Sequence, residues 1–275
     1  MSPAGRERKS GYLPVLTVSR RTDMVRWYPQ DLLRILARRY PPERVHTVLV
    51  LTKFPRALLW EPLRRTLSAY EQVVVHVTVT GLGGTELEPR VPPAEDSLAA
   101  LSEVVALAGC PERVALRIDP IVHWRRAGSD GPVFTNLPLF GGLARQARAS
   151  GVTLVKTSLA SPYRKAQRRF AAHGMELVTL EREERLDALR YLEREAELAG
   201  VRLEFCCEPL RPTSACVDAG LLTRLHPRGL PARPDRATGQ RPICGCAHAV
   251  DLAWYSSHPC PSGCLYCYAN PLERA

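Results

Sequence analysis

Nine cysteines are the residues of this 275-residue chain best suited to chemistry, and all but Cys110 lie between positions 206 and 267. The tightest group is Cys260-Pro-Ser-Gly-Cys264-Leu-Tyr-Cys267, a C-x3-C-x2-C triplet. Iron–sulfur clusters take cysteine thiolates as ligands. Three thiolates on one short loop can hold three irons of a [4Fe–4S] cluster and leave the fourth iron open to a small molecule. The same thiols can hold zinc if a fourth ligand joins them, and His258 or Cys246 can supply it. A ferredoxin-like electron carrier is a third use. Cys206, Cys216, Cys244 and Cys246 add four thiols, the number taken by an auxiliary cluster or a tetrahedral zinc site, or left as buried free thiols. Gly245 lets Cys244 and Cys246 turn to one side. A disulfide framework suits small secreted domains. This chain is long, and no apolar leader follows the charged Met1–Ser10, so thiols in a reducing cytoplasm are expected.

Such residues need a frame. Short β-branched runs alternate with helical periodicity. Strands are predicted at Leu13–Val18, His46–Thr52, Val73–Thr80, Val114–Asp119, Val152–Lys156, Val201–Cys206 and Val250–Tyr255. Helices are predicted near Gln30–Arg39, Ala57–Tyr70, Ala94–Ala108, Leu137–Ser150, Tyr163–His173, Glu181–Leu198 and Ser214–Leu225. This order makes βαβ units and a parallel sheet, and fits an α/β fold with a full or partial (β/α) TIM-like barrel. Residues 1–225 would form the barrel body. Residues 226–275 would form a cysteine-rich segment that closes it and binds Fe–S, all in one structural domain. An open doubly wound sheet lacks its fingerprint, since Gly81–Gly84 is GLGG rather than GxGxxG.

In a barrel the C-terminal ends of the strands carry the site. Those ends are polar here: Arg21 and Asp23, Lys53, Thr80, Arg117 and Asp119, Ser158, and Cys206 to Glu208. Strand alternation puts Val75, Val77 and Val79 on one face and His76, Thr78 and Thr80 on the other. It likewise opposes Leu116 and Ile118 to Arg117 and Asp119. The apolar faces pack on helices and the polar faces point inward. Arg117 and Asp119 then pair with each other or with a ligand, because burying either alone is costly. His76 sits deeper and reads as a satisfied core histidine. The same parity puts Cys206 and Glu208 inward and favours Cys206 over Cys207 as a ligand.

Composition sets the outer bounds. With 45% hydrophobic and 24% charged residues the chain is globular rather than disordered. Every long apolar stretch is interrupted by charge or proline before 18 residues, so no membrane span or membrane partner is expected. The net charge is +10, and of 38 basic residues only four are lysines. An arginine-rich surface attracts nucleic acid or a phosphorylated substrate, or arginine simply stands where lysine would serve.

The triplet, with Tyr266 before its last cysteine, resembles the signature of radical S-adenosylmethionine enzymes. The resemblance implies that the methionine amino and carboxylate groups bind the open iron and that Tyr266 packs near the adenine. One-electron cleavage then gives a 5′-deoxyadenosyl radical. In that superfamily the triplet follows the first strand. Here it follows the last predicted one, which a circularly permuted barrel reconciles.

The segments SRRTD (19–23), Thr52-Lys53, TVTG (78–81), Glu88-Pro89, RIDPI (117–121), Cys206–Glu208, Cys216–Asp218 and Gln240–Asn270 are similar to the family of domain of unknown function 1848. The resemblance covers nearly the whole chain in order. It implies the same fold and cofactor, makes the late triplet a family trait, and supplies no substrate.

The leading expectation is therefore a radical S-adenosylmethionine enzyme. Cys260, Cys264 and Cys267 would bind the catalytic [4Fe–4S] cluster, and Cys206, Cys216, Cys244 and Cys246 a second. Arg117, Asp119, Glu208 and Lys53 would line the reacting centre. Tyr266, Arg21, Asp23, Thr80 and Ser158 would surround S-adenosylmethionine. A ferredoxin or flavodoxin would supply electrons, and the substrate would be anionic or related to nucleic acid. The competing expectation is a non-radical barrel, stapled by zinc or Fe–S, that binds nucleic acid.

Overall fold

The computed structural model describes residues 11–128, 131–237, 240–254, 256–269 and 271–272. Met1–Ser10, Tyr255 and Asn270, which entered the sequence reading, lie outside them. The alternation of the sequence is realised. β1 (Val15–Val18) leads to α1 (Met24–Trp27) and α2 (Pro29–Arg39), and β2 (Thr47–Thr52) to α3 (Glu61–Ser68). β3 (Val73–Thr78) leads to α4 (Ala94–Ala99) and α5 (Leu101–Ala108). β4 (Val114–Ile121) continues through β5 (His123–Arg126) and β6 (Phe134–Thr135) to α6 (Phe140–Ala149). β7 (Leu154–Leu159) leads to α7 (Arg164–Ala172), β8 (Met175–Leu177) and α8 (Arg182–Ala199). β9 (Arg202–Phe205) leads to α9 (Ala219–Leu225), and β10 (Val250–Asp251) comes last.

Seven strands form one sheet in the order β10-β1-β2-β3-β4-β7-β9. Every neighbouring pair is parallel. The last strand lies beside the first, with Leu16 opposite Val250 and Thr17 opposite Asp251. β9 and β10 are the two edges and are not paired with each other among the described residues.

A parallel sheet needs cover on both faces, which is why β2 and β3 are buried throughout. On one face Val48, Val50, Val75, Val77, Leu116 and Ile118 pack with helical residues such as Leu36, Leu63, Leu67, Val104 and Leu189. This is the helix-facing set expected from parity. On the other face Leu49, Leu51 and Val74 pack with Val217, Leu222, Cys244, Cys246 and Ala247. The cysteine-rich part of the chain is thus the second cover of the sheet.

Beyond trimmed ends, with β10 stopping at Asp251 and α9 starting at Ala219 rather than Ser214, two features differ from the expectation. The span Ala94–Ala108 is two helices that meet at Ala100, whose N–H reaches back three residues to the Ser97 carbonyl (3.3 Å). A second sheet, β6-β5-β8, is antiparallel. Its strands of two to four residues are too short to leave a period-two signal.

Candidate functional site

After β10 the chain folds back over the carboxyl ends of β1, β2 and β3 and carries the triplet with it. Several bonds fix this loop. Trp27 Nε1 donates to Ser262 Oγ (3.0 Å), Tyr28 OH to the Pro259 carbonyl (2.7 Å), and Arg169 Nε to the Leu265 carbonyl (2.9 Å). Leu265 N donates to the Leu87 carbonyl (3.0 Å). Cys264, Leu265 and Tyr266 are buried in a core with Phe54, Leu82, Leu87 and Phe170. Gly263 has φ +73, and a Cβ there would lie 3.1 Å from Arg90 and 3.2 Å from Pro89. Only glycine takes this turn without strain.

The three thiols are close enough to influence one another. Burial pushes Cys264 well above the ordinary thiol range, Glu88, Cys267 and Cys260 add to the rise, and Lys53 opposes it. Burial also raises Cys267, with the Ala269 N–H (3.3 Å) opposing.

Beside the loop lies a charged chain of rim residues. Lys53 Nζ is 2.8 Å from Glu88 Oε1 and 5.6 Å from the Tyr266 ring centre. The Tyr266 hydroxyl donates to the same carboxylate. Burial lowers the Lys53 pKa, but the charges of Glu88, Cys264 and Asp119 outweigh it and raise the value overall. Asp23 accepts from Thr52 Oγ1 (2.9 Å) and Lys53 N (2.8 Å). Its burial lifts the pKa from 3.8 to about 6 against those bonds. Farther along, Arg117 pairs with Asp119, and Ser158 donates to Asp119. The pairing of Arg117 with Asp119 that alternation anticipated is present.

The second thiol group is larger than expected. Cys206 lies beside Cys207 and Cys216, Cys216 beside Cys246, Cys246 beside Cys244, and Cys244 beside Cys207, near enough for each thiol to perturb its neighbours. Five thiols close a ring. Cys216 also contacts His76, and its backbone N–H is 3.2 Å from Cys246 Sγ. The closeness of Cys206 lowers Cys207 and Cys216, and Cys206 itself is raised. Arg117 lowers Cys216, and Arg241 lowers Cys207. A Cβ on Gly245 would lie 2.8 Å from the Ser214 carbonyl oxygen and 2.9 Å from Thr213 Cγ2, so the ring depends on a glycine there.

Three expected site residues stand apart. Glu208 is buried and held by Arg185 on α8 through bonds of 3.0, 3.1 and 2.6 Å. The parity that put it inward ends at Phe205, because β9 stops there and Cys207 turns left-handed (φ 53). Thr80 Oγ1 accepts from Leu82 N (3.2 Å), and its carbonyl accepts from Asn136 (2.9 Å), so it closes a turn. Arg21 lies 3.4 Å from Asp251 and over the Trp254 ring (4.5 Å).

The sequence reading missed Cys207, His76, Arg169 and Arg241 as neighbours of the thiols. Cys207 carried a readable signal in its adjacency to Cys206, and His76 one in its place on the inward face of its strand. Among the described residues, no three His, Cys, Asp or Glu side chains form a ready-made cage for a single metal ion. Among the same residues, no helix is long and apolar enough to cross a membrane.

Fold and site together define an α/β protein whose seven-stranded parallel sheet bears a polar rim flanked by two thiol groups. The chain belongs to the family described as Domain of unknown function (DUF1848), whose profile matches residues 35–269. No curated protein and no solved structure matches it.

Proposed function

We propose that this protein is a cytoplasmic radical S-adenosylmethionine enzyme built on a partial (β/α) barrel, with β10 in the place of the first strand. The observation that carries the reading is the meeting of triplet and rim: the Tyr266 hydroxyl donates to Glu88, which pairs with Lys53 at 2.8 Å, and Leu265 N donates to the Leu87 carbonyl. The donor set fits a cluster. Cys260, Cys264 and Cys267 are thiols whose burial disfavours bare thiolates at Cys264 and Cys267, and bound iron offsets that cost by holding its thiol ligands deprotonated. When bound there and reduced by a ferredoxin or flavodoxin, a [4Fe–4S] cluster with S-adenosylmethionine supplies a 5′-deoxyadenosyl radical.

The chain's own part is positioning and exclusion of water. Glu88 and Lys53 hold the Tyr266 ring in place beside the triplet. Asp119, fixed by Arg117 and Ser158, offers a carboxylate to an ammonium group. Lys53 and Arg117 offer cations to a carboxylate. The basic surface suits an anionic or nucleic-acid-related substrate.

The five-thiol ring favours a second thiolate-bound centre, iron–sulfur or zinc. If zinc fills both thiol groups, the protein is instead a stapled nucleic-acid-binding barrel.

Anaerobic reconstitution, with iron, sulfide and zinc measured per chain alongside 5′-deoxyadenosine, tests the proposal. About four irons for one cluster, or about eight for two, and deoxyadenosine that disappears in the C260A/C264A/C267A variant are expected. Zinc in place of iron, with no deoxyadenosine, overturns the radical reading.

A further inference from the structure

On the outer side of the triplet loop lies a cavity of about 630 Å³ that the proposed chemistry does not use. Arg26, Arg56 and Arg90 line it, with apolar walls from Phe54, Val91 and Pro92. Asp96 is its one carboxylate and Ser97 its hydroxyl. Three like charges around one concavity repel one another unless an anion joins them. Elsewhere on the surface guanidiniums meet carboxylates, as in Arg34–Asp31, Arg65–Glu61 and Arg190–Asp187. None of the three cavity arginines has an ion-pair partner among the described residues.

Two of them are held in place without a carboxylate. The Arg26 guanidinium lies 5.1 Å over the Trp27 ring and 5.9 Å from the Phe54 ring centre, a cation–π arrangement that leaves its N–H edges open. Arg90 donates to the Leu272 carbonyl and packs beside Gly263, while its Nε is buried without a hydrogen-bond partner. Guanidinium forks match phosphate oxygens in pairs, and apolar walls strengthen the attraction by excluding water.

We propose that this cavity is a phosphoryl-binding site, for a phosphorylated small molecule or a phosphodiester of a nucleic acid. It stands independently of the cluster, because no thiol lines it. Arg90 links the two, since it touches both the cavity and the triplet loop.

The test is calorimetric titration of the full-length protein with inorganic diphosphate, repeated with Arg26→Ala/Arg56→Ala and with Arg190→Ala. All three altered arginines are exposed, so folding is preserved, and circular dichroism checks it. The double variant should bind diphosphate at least about tenfold more weakly, and Arg190→Ala should bind as the parent does. Competition with a single-stranded oligonucleotide separates the sources: displacement assigns the site to a phosphodiester, and no displacement assigns it to a free phosphorylated ligand. No measurable diphosphate binding by the parent, or an equal loss in Arg190→Ala and the double variant, overturns the proposal.

Discussion

The hydroxyl of Tyr266 donates to the carboxylate of Glu88, the group that also holds Lys53. A residue of the triplet loop is thereby tied to the end of β2 and to the loop that follows β3. Tyr266→Phe removes one charge-assisted bond and should cost about 2 kcal/mol. Glu88→Gln breaks a buried ion pair and should cost about 3 kcal/mol or more. Urea denaturation under reducing conditions measures both, and equal losses would contradict the central place given to Glu88.

Gly245 and Gly142 should respond in opposite directions to alanine. At Gly245 the new methyl meets the Ser214 carbonyl, so the thiol ring must distort at a cost of about 1–3 kcal/mol. At Gly142, inside α6, a Cβ meets nothing within 4 Å, and alanine should stabilise by about 0.5–1 kcal/mol. Thermal melts of the two variants decide the matter.

Asp23 sets a pH dependence of known sign. Its pKa in the fold is about 6 against an ordinary 3.8, so the folded state holds the proton more tightly. The stability from that proton is full below about pH 4 and is lost as pH rises through about 6, up to about 3 kcal/mol. Asp23→Asn should flatten this part of the stability–pH curve. An unchanged slope would mean that Asp23 is ionised and satisfied by Thr52 and Lys53.

His46 and His226 act in the opposite direction. Burial lowers both pKa values, and their rings lie 4.5 Å apart. Stability from the neutral imidazoles is present above about pH 6.5 and should fall as pH drops below it. His226→Gln should blunt this acid loss in the same titration.

Glu208 is an anchor between β9 and α8. Arg185→Ala should cost about 3 kcal/mol by leaving its carboxylate buried without a cation. Iron content per folded chain should stay as in the parent. Loss of iron at unchanged stability would return Glu208 to the reacting centre.

How far the sequence could be read depended on the range of each signal. β3 and β4 were legible because Val75, Val77, Leu116 and Ile118 repeat with a period of two, and the same parity put Arg117 and Asp119 together. The triplet was legible because its cysteine spacing is local. The thiol ring was legible only in part: Cys206, Cys216, Cys244 and Cys246 stood out, while the left-handed turn at Cys207 lies beyond what alternation can register. Arg169 and Arg185 sit on helices whose charge pattern reads as a solvated face. Only the fold brings them to the Leu265 carbonyl and the Glu208 carboxylate.

The pairing of β10 with β1 has a consequence for the order of assembly. Thr17 meets Asp251 across 234 residues of chain. During synthesis the outer edge of β1 therefore stays open while the rest of the sheet can already form, an interval in which an exposed strand edge invites pairing with other chains. The triplet loop lies just beyond β10 and is among the last parts of the chain to be made, so on the proposed function any cluster its thiols take up would join a sheet already largely formed rather than nucleate it.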